Sequence, residues 1–225
     1  MTRVAIIAAM PGELKPLVRG WQSESRSGVH LWRHHRNQKE WIAACAGAGQ
    51  PAATRAFAEI EKDGPIDSVI STGWAGALSE EFAVGRAYRL SGVVDVLTGE
   101  RFPTASKPAG PWLATSPKVA GKREKQRLAE TYGAGLVDME AAAIARLAQM
   151  RGIPFSCVKG ISDAYTEQLP DFNRFIRPDG GFKLTGFILF SILRPHHWPA
   201  LVRMGENSRR AAQGIAESLL ETLDE

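Results

Sequence analysis

One stretch, residues 135–165 (GLVDMEAAAIARLAQMRGIPFSCVKGISDAY), constrains the fold of this chain more than any other. An alanine-rich helix signal begins at Ala141 and ends at Gly152, since glycine suits the left-handed cap of a helix. The apolar residues 155–158 then predict a short buried strand, which the polar residues from Lys159 onward end. A helix that feeds such a strand is typical of an α/β unit.

Acidic residues flank this predicted helix and strand. Asp138 and Glu140 precede the helix, and Asp163 follows the strand. In open α/β sheets, ligand sites form outside the carboxyl ends of the strands. We therefore expect Glu140 and Asp163 to meet in one pocket.

The alternation of strands and helices recurs along the chain. Apolar runs at residues 4–9 and 66–70 predict buried strands, and residues 29–46 predict a β-hairpin with its turn near Asn37. Residues 51–62 predict an amphipathic helix. The alternation predicts an α/β sandwich with helices on both faces of the sheet.

The length of the chain and its lack of an obvious linker favour a single domain over residues 1–225. An apolar and basic helical extension is expected at about residues 180–225. Its apolar run GFILFSIL, residues 186–193, is far shorter than the about 20 residues that cross a bilayer. Residues 194–223 predict one or two amphipathic helices, whose basic residues indicate a solvated face or an attraction to an anionic surface.

Composition narrows the class of protein. The hydrophobic fraction of 44% and the charged fraction of 23% are globular values, which argue against disorder. Cys45 and Cys157 lie in apolar runs, so we expect free buried thiols and a cytoplasmic location. The apolar run after Met1 is too short for a secretion signal.

Neither a metal nor a cofactor is expected. His30, His34 and His35 fall in the predicted hairpin, where no acidic residues or cysteines cluster to complete a metal site. The phosphate-binding patterns GxGxxG and GxxxxGK[ST] are absent, so no dinucleotide or ATP is inferred, and no nucleic-acid partner is expected. Gly73 and Gly76 follow a strand and allow the backbone to approach a ligand closely.

Four motifs stand in order along the chain: AAMPGEL, STGWAGAL, VDMEAAAIA and KGISDAY. Together they resemble the purine nucleoside phosphorylase and uridine phosphorylase superfamily, and more closely its nucleosidase branch, typified by methylthioadenosine/S-adenosylhomocysteine nucleosidase. The resemblance covers roughly residues 4–165. It implies a single α/β domain around a mixed, partly barrel-like sheet, and a homo-oligomer such as a dimer.

The resemblance also implies a role for each matching residue. Asp163 looks like the general acid that protonates N7 of a departing purine, with Ser162 orienting it. Glu140 resembles the carboxylate that holds the ribose hydroxyls, Met139 the side chain under the sugar, and Glu13 the acid that positions the attacking water. Such a set suits an oxocarbenium-like transition state, which needs a carboxylate near the sugar and a proton source at the base.

Several positions depart from the pattern of the superfamily. Its phosphorylases hold phosphate with an arginine before the central glycine turn and a Ser or Thr after it, where this chain has Ser71 and Trp74. An indole there should exclude phosphate, so water is the expected nucleophile. Lys159 stands where many nucleosidases have arginine, and Val119 or Ala120 takes the place of the aromatic residue that stacks the base.

The segment ATSPKVAGKREKQRLAETYGAGLVDMEAAA and the apolar, basic tail are most similar to the hopanoid-associated members of the superfamily. Those members are implicated in releasing adenine from adenosylhopane to give ribosylhopane. The resemblance implies a lipid-linked adenosine derivative as substrate, an apolar groove for its hopane body, and transient contact with a membrane surface.

Three functions remain open at this stage. The first is hydrolytic release of adenine from an adenosine derivative such as adenosylhopane. The second is a different enzyme of the same superfamily, either a phosphate-dependent nucleoside phosphorylase or a methylthioadenosine/S-adenosylhomocysteine nucleosidase. The third is a catalytically silent nucleoside- or lipid-binding protein on the same fold.

Overall fold

The computed structural model describes residues 2–106, 109–167, 173–175, 177, 181 and 198–224. In this part of the chain twelve strands form one mixed sheet, accompanied by five α-helices and one 3₁₀ turn, Asn173–Phe175. The strands are β1 (Thr2–Ala8), β2 (Gln22–Arg26), β3 (Val29–Arg36), β4 (Lys39–Cys45), β5 (Ser68–Ser71), β6 (Trp74–Ala77), β7 (Ala87–Arg89), β8 (Gly92–Asp95), β9 (Arg101–Pro103), β10 (Trp112–Thr115), β11 (Ala134–Asp138) and β12 (Phe155–Asp163). The helices are α1 (Pro11–Leu14), α2 (Gln50–Glu61), α3 (Lys122–Tyr132), α4 (Ala141–Arg151) and α5 (Trp198–Asp224).

The sheet follows the order β2-β3-β4-β1-β5-β12-β6-β11-β10-β8-β9, with β7 paired to β12. Strands β4, β1, β5, β12 and β6 run parallel, and β11 is antiparallel to β6. The direction of the strands therefore changes between β6 and β11.

Helices cover both faces of the sheet. Alternate residues of β1 point to opposite faces, so Ala5 and Ile7 belong to the core that includes Phe57 of α2 and Ile144 of α4. Ile6 belongs to a second core, which includes Ile215 of α5. The predicted α/β sandwich around a mixed sheet is confirmed.

Several local predictions are also confirmed. Strands β3 and β4 form the predicted hairpin, and Asn37 and Gln38 adopt positive φ angles of 51° and 58° in its two-residue turn. Helix α2 covers the predicted amphipathic segment. Helix α4 ends at Gly152, whose φ of 65° is the left-handed cap.

The prediction that the last strand ends at Val158 is wrong, because β12 continues to Asp163. Its first three residues pair with β5, and residues 160–163 pair with β6. Backbone pairing on both sides carries the strand through its polar residues, and Lys159 is tolerated there because an acidic neighbour compensates its charge. Strands β2, β6, β9 and β11 were not predicted.

The C-terminal segment is described in part. Helix α5 confirms the prediction of an amphipathic helix, since Ala212, Ile215, Leu219 and Leu223 recur on its buried side. The apolar residues 186–193 lie outside the described residues. No helix within the described ranges is long and apolar enough to cross a membrane. That residues 1–225 form one domain stays a prediction.

Candidate functional site

A cavity of about 340 Å³ lies where β6 separates β11 from β12. Four acidic side chains from distant parts of the sequence line it. They are Glu13, Asp138, Glu140 and Asp163. The structure thus brings Glu140 and Asp163 into one pocket, at the point where the strand direction changes.

A β-bulge aims Asp163 at the cavity. Ile161 pairs with Ala75 and Asp163 pairs with the next residue, Gly76, so Ser162 is the extra residue of β12. Without the bulge, Ile161 and Asp163 would point to the same face of the sheet. The bulge leaves Ile161 in the apolar core and turns Asp163 toward the cavity.

Asp163 has a hydrogen-bonding partner on each carboxylate oxygen. Ser162 Oγ donates to Oδ1 over 2.7 Å, which matches the orienting role expected for that serine. The ammonium of Lys125 pairs with Oδ2 and also donates to the carbonyl of Ala164 over 2.7 Å. A Cβ atom at Gly76 would lie 2.8 Å from Oδ2, so only glycine leaves room for this pair.

Lys125 was missed by sequence reasoning. It belongs to the polar helix α3, where its neighbours in sequence are charged or polar. Its side chain is nevertheless only 1% exposed, and Lys125 and Leu128 are the buried residues of that helix. The spacing of three residues between Lys125 and Leu128 was the one available signal, since such residues share a helix face.

Glu13 is held in place by the backbone. Its Oε2 accepts hydrogen bonds from the N–H groups of Ala9 and Met10, over 2.8 and 2.7 Å, and its Oε1 accepts one from Trp74 over 2.8 Å. Burial raises the pKa of Glu13, although these three bonds favour the ionised form. Gly73 has a φ of 121° and does not line the cavity; it leaves room for the Glu13 carboxylate.

A buried ion pair supports the other side of the site. Lys159 Nζ lies 2.9 Å from Asp138 Oδ2 and donates to the carbonyl of Thr72 over 2.8 Å. Burial opposes its charge, yet the carboxylate of Asp138 and other nearby acids raise the pKa of Lys159. Lys159 therefore lies behind Asp138 and is not among the residues that line the cavity.

Glu140 lies at the start of α4, over the cavity. Its Oε1 accepts a hydrogen bond from the N–H of Gly49 over 2.6 Å. Burial, followed by the charge of Asp138, raises the pKa of Glu140 to about 8. Its surroundings therefore favour the protonated form of Glu140, which can both donate and accept hydrogen bonds.

The remaining walls of the cavity are mostly apolar. Val119 lines it, as expected for a base-stacking position, and its backbone pairs with the side-chain amide of Asn173. Met139 lines it beside Glu140. Trp74 lies at the side of α5, where its indole N–H donates to the carbonyl of Ser208 over 2.9 Å.

The described residues hold no group of three or more His, Cys, Asp or Glu side chains arranged for a metal ion. Of the four acids, Glu13 and Glu140 are bonded to backbone N–H groups, and Asp138 and Asp163 are paired with lysines. This arrangement suits a polar organic ligand, because it combines carboxyl groups with an apolar wall.

Comparisons with known proteins identify the family of this chain. The sequence model of the phosphorylase superfamily matches residues 3–120 and 109–177, which confirms the resemblance indicated by the four motifs. A 5′-methylthioadenosine/S-adenosylhomocysteine nucleosidase from Shewanella halifaxensis is 27% identical over 212 residues, covering 77% of this chain and 92% of that protein.

Solved structures share the fold. A 5′-methylthioadenosine/S-adenosylhomocysteine nucleosidase from Helicobacter pylori superposes with a TM-score of 0.72 and 17% identity, covering 100% of this chain and 98% of that one. The futalosine hydrolase of Helicobacter pylori gives a TM-score of 0.74 at 17% identity, with 99% and 97% coverage. An S-adenosylhomocysteine nucleosidase from Streptococcus pyogenes gives 0.72 at 20% identity, with 97% and 94% coverage.

Proposed function

Since the chain belongs to the phosphorylase superfamily, we propose that it hydrolyses the N-glycosidic bond of an adenosine derivative and releases adenine. One observation carries the proposal: the carboxyl groups of Asp163, Glu13 and Glu140 line a single cavity. Cleavage of this bond needs a proton donor at the leaving base and carboxylates near the cationic sugar. The nucleosidase relative supports the same reaction.

Asp163 serves the leaving base in this proposal. It delivers a proton to N7 of the purine as the bond between C1′ and N9 breaks, while Ser162 holds the carboxyl group in position. General acid catalysis of this kind contributes about 10²- to 10⁴-fold to a rate. Val119 and Ala120 supply the apolar wall against which the base lies.

Glu140 and Met139 serve the ribose. The two oxygens of Glu140 match a pair of vicinal hydroxyl groups, and the hydrogen bond from Gly49 fixes the direction of the carboxyl group. Met139 provides an apolar surface under the sugar ring. Positive charge that develops at C1′ favours the ionised form of Glu140, so this contact strengthens in the transition state.

Glu13 positions the attacking water. Three backbone donors hold its carboxylate, and a free lone pair remains on Oε1 to accept a bond from water. Phosphate is disfavoured at this end, because it would meet the Glu13 carboxylate and the indole of Trp74. Lys159, whose charge acts on Glu13, is already paired with Asp138.

An apolar 5′ substituent fits the rest of the cavity. Met10, Trp74 and Met204 line its wall together with the α5 residue Ser208. These side chains favour a substrate with an apolar body at the 5′ position, and adenosylhopane, which would yield ribosylhopane, is the candidate that we propose. Methylthioadenosine is the second candidate, because it carries a smaller apolar group and the nucleosidase relative is named for it.

The same proposal extends to the location and the oligomeric state of the enzyme. We propose a cytoplasmic homodimer that contacts a membrane surface transiently when it takes a lipid-linked nucleoside. Exposed Arg203, Arg209 and Arg210 on α5 support an attraction to anionic lipid headgroups. Burial raises the pKa of Cys45 and of Cys157 to about 12, so both stay as thiols, which is compatible with a reducing compartment.

A product assay tests this function. The protein is incubated with adenosylhopane, methylthioadenosine, adenosine and inosine, each with and without phosphate, and the products are identified by mass spectrometry. Adenine and a free sugar that form equally without phosphate are the expected result. A sugar 1-phosphate would identify a phosphorylase, and binding without any product would identify a nucleoside-binding protein. Equal turnover of methylthioadenosine and adenosylhopane would contradict the preference for the lipid.

A further inference from the structure

Lys125 occupies a position that the reaction described above does not yet use. Its ammonium group is buried at the wall of the cavity and contacts the carboxylate of Asp163 and the carbonyl of Ala164. These two acceptors take two of the three protons of the ammonium group. The pair joins helix α3 to the end of strand β12 across 38 positions of sequence.

The neighbouring backbone leaves room for this contact. A Cβ atom at Gly76 would lie 2.8 Å from Asp163 Oδ2 and 3.2 Å from Lys125 Cε. A buried ammonium is costly unless it is paired, and apolar residues of similar size usually stabilise a core at least as well as an ion pair. Leu128, on the same face of α3, shows that an apolar side chain is accommodated close by. A purely structural role therefore explains Lys125 poorly.

The pairing of Lys125 with Asp163 bears on where the proton for the leaving base comes from. The two oxygens of Asp163 accept hydrogen bonds from Lys125 and from Ser162, and in each of these contacts the proton belongs to the donor and not to the carboxyl group. The nearest transferable proton is on Lys125, at Oδ2.

We propose that Lys125 supplies, through Asp163, the proton that the leaving base takes up. The proposal rests on the hydrolase function proposed above. Lys125 is a positioning residue by this account, because it acts on the base through Asp163. Asp163 remains the catalytic residue that touches the purine.

The step balances in protons and electrons. The bond between C1′ and N9 breaks, and its electron pair passes to the base. Lys125 Nζ gives a proton to Asp163 Oδ2, and Asp163 passes that proton to N7 of the base. Water adds to C1′ and gives a proton to Glu13, from which it passes to solvent. Lys125 regains a proton from solvent when the base leaves, so the net reaction is nucleoside and water to base and sugar.

Other charged groups surround the pair and bear on its pH dependence. Lys118 lines the cavity from the loop before α3, and Glu167 accepts a hydrogen bond from the N–H of Ala164. Across the cavity lie the remaining carboxyl groups, with a second lysine behind them: Glu13, Asp138, Glu140 and Lys159. Among the described residues, Lys125 is the cation that contacts Asp163 directly.

The test compares three proteins: the wild type, Lys125→Arg and Lys125→Met. Adenine release without phosphate is measured first with the wild type, from adenosylhopane and from methylthioadenosine. Absence of turnover of both substrates overturns the proposed hydrolase function and, with it, the premise of this inference. If the wild type releases adenine, a change of activity in the two variants reports on Lys125 alone.

The two variants distinguish a lysine that supplies a proton from one that only places a positive charge beside Asp163. Arginine keeps the ion pair but does not release its proton, so Lys125→Arg should lose about 10²-fold or more in kcat at every pH. In Lys125→Met the proton is carried by Asp163 alone. The alkaline limb of its kcat/KM profile should therefore move down by about 2 pH units or more, because a carboxyl group loses its proton well below an ammonium.

Control measurements distinguish a loss of activity from a loss of the folded structure. Lys122→Met changes an exposed lysine of the same helix and should leave both rate and profile unchanged. Thermal unfolding confirms that each variant is folded.

Amine rescue of Lys125→Ala provides a second test of the proposal. Added propylamine that restores activity must enter the space left by the lysine side chain. Wild-type activity in Lys125→Arg, together with an unmoved alkaline limb in Lys125→Met, would overturn the proposal, as would failure of amines to rescue Lys125→Ala.

Discussion

The N–H of Trp74 donates a hydrogen bond to Oε1 of Glu13 over 2.8 Å, which joins the start of β6 to helix α1 across 61 positions of sequence. This bond places the carboxylate of Glu13 directly beside the central glycine turn. Gly73 makes the approach possible, because its φ of 121° turns the backbone N–H of Trp74 toward the acid without a side chain between them. The position of Glu13 therefore depends on the turn as much as on its own helix.

Gly73→Ala should disturb this arrangement. The new Cβ atom would lie 2.8 Å from Glu13 Oε1, and the φ angle is one that L-residues rarely adopt. We expect kcat to fall by about 10²-fold, since misplacement of a catalytic group by about 1 Å has that effect. The free energy of unfolding should fall by about 1–3 kcal/mol.

Gly121→Ala is the matched control for that variant. A Cβ atom at Gly121 meets no atom within 4 Å, and its φ of −79° suits any residue. Urea unfolding and steady-state kinetics of the two variants should therefore differ clearly. Full activity of Gly73→Ala would show that Glu13 is not the group that positions water.

Asp163→Asn should abolish turnover and also reduce stability. The amide has no proton to deliver to the base, so kcat should fall by at least about 10²-fold. It also leaves the buried ammonium of Lys125 without its counter-charge, which costs about 3–5 kcal/mol when a buried pair is broken. Chemical denaturation of the variant measures the second effect independently of the first.

The double variant Asp163→Asn with Lys125→Met separates these two effects. It removes both charges, so most of the lost stability should return while the enzyme stays inactive. An Asp163→Asn protein as active as the wild type would contradict the assignment of the general acid.

Glu140 should make stability depend on pH. Its pKa is raised to about 8 in the folded protein, above the ordinary value of 4.5. The folded state therefore holds a proton that the unfolded state has released, and the stabilisation present below pH 4.5 is lost as pH rises through 8. Each pH unit within this window removes up to about 1.4 kcal/mol from the free energy of unfolding.

Glu140→Gln should flatten this slope, because the amide does not titrate. Urea unfolding between pH 5 and 8 measures the difference, with the exposed Glu130→Gln as a control whose slope should match the wild type. Equal slopes in the wild type and Glu140→Gln would show that Glu140 is ionised in the folded protein at neutral pH.

Trp74→Phe should loosen the contact between the cavity and helix α5. It keeps an aromatic ring but loses the indole N–H that donates to the carbonyl of Ser208 over 2.9 Å. A hydrogen bond of this kind contributes about 1 kcal/mol, so the melting temperature should fall by a few degrees. Because α5 residues line the cavity, KM should rise more than kcat falls.

Trp21→Phe provides the comparison for that prediction. Trp21 stacks on His34 and does not line the cavity, so its replacement should leave KM unchanged. If Trp74→Phe and Trp21→Phe give the same KM as the wild type, the bond to Ser208 has no part in forming the substrate site.

The parts of the protein that rest on local chemistry were predictable from the sequence. Helix α4 and its cap at Gly152, the two-residue turn at Asn37, and the buried strand β1 all follow from signals within a few residues. The class of fold followed from their alternation. Three acids of the site, Glu13, Glu140 and Asp163, stand in ordered motifs, and the structure brings them to one cavity.

Contacts between residues far apart in sequence became visible only in the folded structure. The pairing of Asp163 with Lys125, and of Lys159 with Asp138, depends on strand register and on how α3 packs against the sheet. Local periodicity carries no information about such contacts, because they join residues far apart in sequence. Strand β12 shows the same limit, since its continuation beyond Val158 comes from backbone pairing with its neighbours rather than from its own side chains.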